Sequence, residues 1–162
     1  MKLHEIHNTD YSSHHYSPEH LDSELNMRYK AGVIPWLKDS TGNIVMLFVR
    51  SSDPAYGGPD FGIIKGGADE GEEPKQTAIR EMEEEVGIKE SSIKKLTLIS
   101  DDVIKGLLAP YKFYVYGAEA SSDKFKIDSH EIAEARWMSY GEYLKVGRKS
   151  QLSIVRKAFS ML

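Results

Sequence analysis

The sequence of 162 residues predicts an α/β (α+β) domain in which a mixed β-sheet is sandwiched between helices. Strand-like runs lie on both sides of a mid-chain helical segment, and two further helical segments close the chain. No internal repeat or linker divides it. With 40% hydrophobic and 28% charged residues, the chain is long enough for one core and short for two.

Residues 1–27 are polar, rich in Ser and His and without a sustained apolar period, so they are expected to form an arm ahead of a domain over 28–162. His7, His14, His15 and His20 fall there, where solvated side chains are a more economical reading than a metal site. From Tyr29 the pattern turns to strands: YKAGVIPWL, a connection containing Gly42-Asn43, then IVMLFVR, together a hairpin. Pro35 predicts an edge or irregular position in the first of these. The run SSDPAYGGPDFG reads as a loop, followed by a short strand over 61–65. Residues 73–86 carry helix signals, with Pro74 suited to the first turn and Gly87 at the stop. KKLTLIS, YKFYVYG and EARWM then read as strands, SYGEYLKV as a short helix and SQLSIVRKAFSML as a longer one.

A formal net charge of −4 gives no general reason to bind a polyanionic backbone, so long nucleic acid is not an expected partner. Without cysteine, disulfides and thiolate metal sites are ruled out, which suits a reducing compartment. The N-terminus lacks the basic segment and apolar run of a signal peptide, and no apolar run is long enough to span a bilayer. The expectation is a soluble, cytoplasmic protein without a membrane partner.

The chemistry is concentrated in the mid-chain helix. At about 100° per residue, Ala78, Ile79, Met82 and Val86 share one arc, suited to packing on a sheet. Glu81, Glu84 and Glu85 fill the neighbouring arc. Like charges at i, i+3 and i+4 each cost about 0.2–0.5 kcal/mol. A hard divalent cation would offset that cost, because Mg²⁺ or Mn²⁺ takes one or two carboxylates, keeps several waters and completes its sphere with substrate phosphates. An acidic run taken alone would read as a solvated helix face; its neighbours decide otherwise.

From Gly66 the chain runs GGADEGEEPKQTAIREMEEEVGI, and Gly66, Glu72, Arg80, Glu81, Met82, Glu84, Glu85, Gly87 and Ile88 fill every specified place of G-x5-E-x7-R-E-U-x-E-E-x-G-U, with U aliphatic. That pattern resembles the Nudix box. The resemblance implies a Nudix-type sandwich carrying a loop-helix-loop catalytic element, and a hydrolase that cuts pyrophosphate bonds in nucleotide-like substrates with Mg²⁺, for which Mn²⁺ substitutes. It assigns Glu84 and Glu85 to the main metal-binding pair, Glu81 to a further ligand or supporting acid, and Gly66 to the metal-binding positions. Arg80 matches the arginine that orients the acids, and Glu72 a supporting carboxylate at the helix start or in the metal's water shell. Gly66 and Gly87 would also serve geometry, allowing the turn into the helix and the helix stop.

Outside the box, HEIAEARWMSYGEYL resembles the segment ahead of the last strand and helix in polyphosphate-cleaving branches of the family, which makes Glu131 a candidate metal ligand or general base, with Glu134 and His130 as neighbours. The bland reading of Glu131 is an exposed loop charge. Lys65 and Arg50 are candidate substrate-binding cations. Substrate choice is expected in the loops 51–60, 101–110 and 119–130. The proline spacing of ADP-ribose specialists is not met after Ile88, since Pro110 falls farther downstream, and Tyr111 is an inexact match to the tyrosine of dinucleoside polyphosphatases. The preferred substrates are therefore nucleoside or dinucleoside polyphosphates; the alternatives are an ADP-ribose or nucleotide-sugar pyrophosphatase, or a non-catalytic nucleotide-binding module. A homodimer is left open.

Overall fold

Alternation with a period of two builds the centre of the domain. In the computed structural model, which describes residues 21–22, 27–53, 55, 58–106 and 109–162, β3 (Ile44–Ser51) turns Met46 and Phe48 to one buried cluster and Leu47 and Val49 to another. A strand apolar on both sides needs cover on both faces. Helix α1 (Pro74–Val86) covers one face, contributing Ala78, Met82 and Val86. Helices α2 (Tyr140–Val146) and α3 (Leu152–Met161) cover the other, contributing Tyr143, Ile154, Val155 and Ala158.

The remaining strands are β1 (Leu21–Asp22), β2 (Met27–Lys38), β4 (Ile64–Gly67), β5 (Ile93–Ser100), β6 (Val103–Ile104), β7 (Tyr111–Ala120) and β8 (Ile132–Met138). The central path runs β5-β7-β2-β3-β8, with β1 and β4 on β2 and β6 on β7. β2 and β7 are parallel and the other pairs antiparallel, so the sheet is mixed as expected. Among the described residues no helix is long and apolar enough to cross a membrane.

Three local expectations are met only in part. Pro35 lies in a central strand, not at an edge; it falls where β2 exchanges its β4 partner, paired through Val33, for its β3 partner, paired from Trp36. The short strand expected over 61–65 instead runs Ile64–Gly67, with Phe61 and Gly62 making single bridges to Gly147 and Val49. Two residues of the expected arm form β1, while the arm histidines lie outside the described residues.

The ends of the helices follow from local chemistry. Pro74 at the start of α1 gives up no backbone bond, and the Glu73 N–H donates to Gln76 Oε1 at 2.9 Å. At the other end Gly87 adopts φ 67°, and its N–H donates to Glu83 O at 2.9 Å. The carbonyls of Val86 and Glu85 accept from Lys126 N at 2.9 Å and Asp128 N at 3.0 Å, so the loop before β8 finishes the helix. A Cβ at position 87 would come 3.0 Å from Lys126 O. Gly87→Ala is therefore expected to cost about 1–2 kcal/mol, from the left-handed backbone and the crowded carbonyl. Urea unfolding should show this as a lower midpoint with an unchanged slope; an unmoved midpoint would show that the turn does not need glycine.

Candidate active site

The loop from Gly66 to Glu73 and helix α1 are joined by one guanidinium. Arg80 Nε donates to Glu72 Oε2 at 2.7 Å and lies 3.1 Å from Asp69 Oδ2; Nη2 reaches Glu72 Oε1 at 3.0 Å and Gly67 O at 2.8 Å; Nη1 reaches Glu81 Oε1 at 3.0 Å and Glu84 Oε2 at 3.1 Å. The i,i+4 pair with Glu84 exists, but it is one contact among several. Burial works against the arginine's charge, and Glu72 and Glu81 outweigh it, so its pKa is pushed up. Glu72 also accepts from Asp69 N at 2.8 Å and Thr77 Oγ1 at 2.9 Å. Burial opposes ionisation there too, but these bonds, Arg80's first, hold its carboxyl below the ordinary range. Tyr29 donates its hydroxyl to the Glu72 carbonyl, tying the loop to β2. Glu72 thus holds the helix start.

Gly66 has a different part from the turn expected of it. It sits in β4, and a Cβ there would lie 2.0 Å from Glu81 Oε1 and 2.3 Å from its Cδ. Glycine is required because the carboxylate rests against the strand backbone. Glu81 in turn lies close enough to Glu85 for each carboxyl to affect the other's charge. Burial raises the pKa of both; for Glu85, the deeper of the two at 7% exposed, the charge of Glu81 adds to the rise. Ile79, expected on the core stripe, is only half-buried, while Thr77 and Glu85 are buried.

Glu84 stands apart on the exposed side, linked to Glu81 through Arg80 Nη1. Among the described residues no three His, Cys, Asp or Glu side chains converge enough to hold an ion by themselves. The donor set nevertheless suits a hard divalent cation: Glu81 and Glu85 stand one turn apart on the same helix, Glu81 resting against Gly66, and such a cation needs only one or two carboxylates.

Lys65 lies at the boundary of this cluster. Burial and then Arg148 lower the pKa of its ammonium, while Glu85 and Glu81 raise it. It lines a pocket of about 270 Å³ together with Lys30, Lys105 and Arg148. Lys30 and Arg148 escaped the sequence reading, since they come from β2 and from the turn after α2 and only the fold brings them to Lys65. Arg50 does not line the pocket; it lies 3.4 Å from Glu134, which also pairs with Arg136 at 3.0 Å. Glu131 is exposed. Its N–H donates to Asp128 O at 3.2 Å and its carbonyl accepts from Ser52 N at 2.9 Å, and its charge is felt by Glu85. His130 is held through its own backbone, its N–H donating to Asp128 Oδ1 at 3.0 Å and its carbonyl accepting from Ser52 Oγ at 2.7 Å.

A family model described as the NUDIX domain matches residues 28–158. No curated protein matches the chain. Among solved structures, an Ap4A hydrolase of C. elegans in a binary complex is 25% identical, with 82% of this chain and 95% of that one covered at a TM-score of 0.67. The Nudix hydrolase RenU of M. smegmatis is 18% identical over 82% and 86%, at a TM-score of 0.67. The NUDIX domain of Shewanella oneidensis NrtR, complexed with ADP ribose, is 14% identical over 99% and 98%, at 0.71. The last two likenesses concern the fold alone.

The raised pKa of Glu85 has a sign that can be tested. Between the ordinary value of 4.5 and its folded value, the folded chain keeps a proton that the unfolded chain has released. For this group stability is therefore greatest below about 4.5 and falls as pH rises toward the folded pKa. In chelator at pH 8, Glu85→Gln should raise Tm by about 2–4 °C, corresponding to about 1 kcal/mol, and should flatten the decline with pH. Millimolar Mg²⁺ should stabilise the parent protein and not the variant. A variant less stable than the parent at pH 8 would show that the buried carboxyl is not strained.

Proposed function

The chain belongs to the NUDIX family of hydrolases, and we propose that it is a Mg²⁺-dependent pyrophosphohydrolase that cleaves the diphosphate bond of nucleoside or dinucleoside polyphosphates. The observation that carries this reading is the complete acidic box, in which Glu81 rests against Gly66 in β4, next to Lys65. A family member reduced to nucleotide binding would have no need to keep two carboxyls buried against each other.

A diphosphate resists hydrolysis because its anionic oxygens repel an incoming nucleophile. A divalent cation, when bound, supplies charge neutralisation and a more acidic coordinated water. Glu81, Glu84 and Glu85, with the carbonyl of Gly66, are the groups that would hold it. Arg80 is a positioning residue, since its contacts are with the acids and the loop. Lys65 would bind a phosphate oxygen beside the acids. Glu131, carried by the loop that finishes α1, is the proposed acid from outside the box, as a ligand or as the base that takes the proton of the attacking water.

The experiment is product release from a panel of dinucleoside polyphosphates, nucleoside triphosphates, 5′-triphosphate RNA and ADP-ribose, each with Mg²⁺, with Mn²⁺ and with chelator. Activity should vanish in chelator, and Glu84→Gln should lower kcat by about 10²-fold or more with the fold intact. Near-parent turnover of Glu84→Gln at saturating Mg²⁺ would remove Glu84 from the metal-binding set.

Glu131→Gln separates its two roles. Loss of a base should lower turnover by about 10²–10⁴-fold, with a deficit that shrinks as pH rises. Loss of a ligand should instead raise the Mg²⁺ needed for half activity, with recovery at high Mg²⁺. A change below about threefold in both quantities is what an exposed loop charge would give, and it would assign the base to the box instead, to Glu81 or Glu84.

A further inference from the structure

Water can satisfy the backbone of an exposed loop, so a loop tip bonded wholly within the protein is held more tightly than a connection requires. The tip of the loop before β8 is of this kind. His130 and Glu131 are exposed, yet all four of their backbone polar groups find partners in the chain. The His130 N–H donates to Asp128 Oδ1 at 3.0 Å, and the Glu131 N–H to Asp128 O at 3.2 Å. From the other side Ser52 donates its hydroxyl to His130 O at 2.7 Å and its N–H to Glu131 O at 2.9 Å.

The two halves of this clamp are anchored to different parts of the site. Asp128 belongs to the helix side: its own N–H donates to Glu85 O at 3.0 Å, and its carbonyl also accepts from Ile132 N at 2.9 Å, where β8 begins. One residue thus spans from the backbone of Glu85, an acid of the box, to the backbone of Glu131. Ser52 belongs to the sheet side. It follows the point where β3 and β8 shift register, with Arg50 opposite Glu134 and Ser51 opposite Ile132; such a bulge turns a strand end in a new direction, and beyond it Ser52 meets the tip. The loop is attached without the clamp, since the N–H groups of Lys126 and Asp128 finish α1 and Ile132 is buried. What the remaining bonds fix is the tip itself.

We propose that Asp128 is the positioning residue for Glu131, setting its backbone relative to Glu85, with Ser52 closing the clamp from β3. The inference rests on the reading of Glu131 as the acid from outside the box. Asp128 acts through Glu131 and not on the reacting atoms. With the backbone at 131 fixed, only the rotors of the Glu131 side chain are left to be ordered, and a misplacement of about 1 Å is worth up to about 10²-fold in rate. Glu85 feels the charge of Glu131, so the clamp holds the two acids at a separation where they interact. The feature it uses is an acceptor oxygen at Asp128, which asparagine keeps and alanine lacks.

Two measurements test this. Whichever quantity Glu131→Gln moves, turnover or the Mg²⁺ needed for half activity, Asp128→Ala should move in the same direction by about tenfold, and Asp128→Asn should restore it to within about threefold of the parent. Ser52→Ala should act the same way to a smaller extent. Added to Glu131→Gln, Asp128→Ala should cost less than about a further twofold, because the group it positions is already gone. Amide exchange followed by NMR in the substrate-free protein should show the His130 N–H protected in the parent and in Asp128→Asn, and exchanging about tenfold or more faster in Asp128→Ala. Equal losses from Asp128→Ala with and without Glu131, an asparagine variant as poor as alanine, or an unprotected His130 N–H in the parent would overturn the positioning role and leave Glu131 as the outside acid. Parent-like activity of Glu131→Gln would overturn the reading of Glu131 and the positioning role together, leaving the box and its hydrolase reading intact.

Discussion

Arg80 is the contact on which the catalytic element depends. Its guanidinium meets the carboxylates of Glu72, Glu81 and Glu84, lies beside that of Asp69, and donates to the carbonyl of Gly67. Each pair alone would be worth little at a solvent-exposed surface. Together they form a network in which a single planar cation satisfies one segment of loop and one turn of helix at once, which a lysine ammonium could not match in geometry. The acids on α1 repel one another, and the loop before the helix has few apolar side chains to fix it. The arginine offsets the first problem and supplies the second with an anchor, so the loop and helix behave as one piece.

The other half of the arrangement is steric. Glu81 rests where Gly66 has no side chain, which seats a helix-borne carboxylate against the edge of the sheet. Lys65 follows from that seat as the neighbour of Gly66 in β4. The far end of α1 is finished by backbone N–H groups of Lys126 and Asp128, and the same loop leads into Glu131. One helix therefore fixes, from its two ends, the distance between the box and the candidate acid outside it.

What could be read from the sequence divides along the same lines. The box, the helix from Pro74 to its stop at Gly87 and the strand alternation in β3 and β7 depend on residues close in sequence, whose spacing is preserved by the regular geometry of each element. Features that depend on pairing across the chain could not be read. Pro35 marked an irregularity correctly but not its cause, because the exchange of β4 for β3 beside β2 is a property of three strands. The core stripe named Ile79 where the fold buries Thr77 and Glu85, since Glu72 gives Thr77 a buried partner and Gly66 makes room on the acidic side. Arg148 sits in an unremarkable GRKS turn, and its placement comes from Gly62 and Phe61, far from it in the chain.

Net charge misleads for a related reason. At −4 the whole chain offers no attraction to a polyanion, yet Lys65 separates two neighbourhoods of opposite sign, the glutamates of α1 and the cations that include Arg148 and Lys30. Screening confines each to about a Debye length of 8–10 Å at ordinary salt, so a substrate at the site experiences the local arrangement and not the sum. The acids in the first neighbourhood suit a hard divalent cation, which needs only one or two carboxylates. Lys65, next to Gly66 in sequence and next to Arg148 in space, is the residue through which the two are joined.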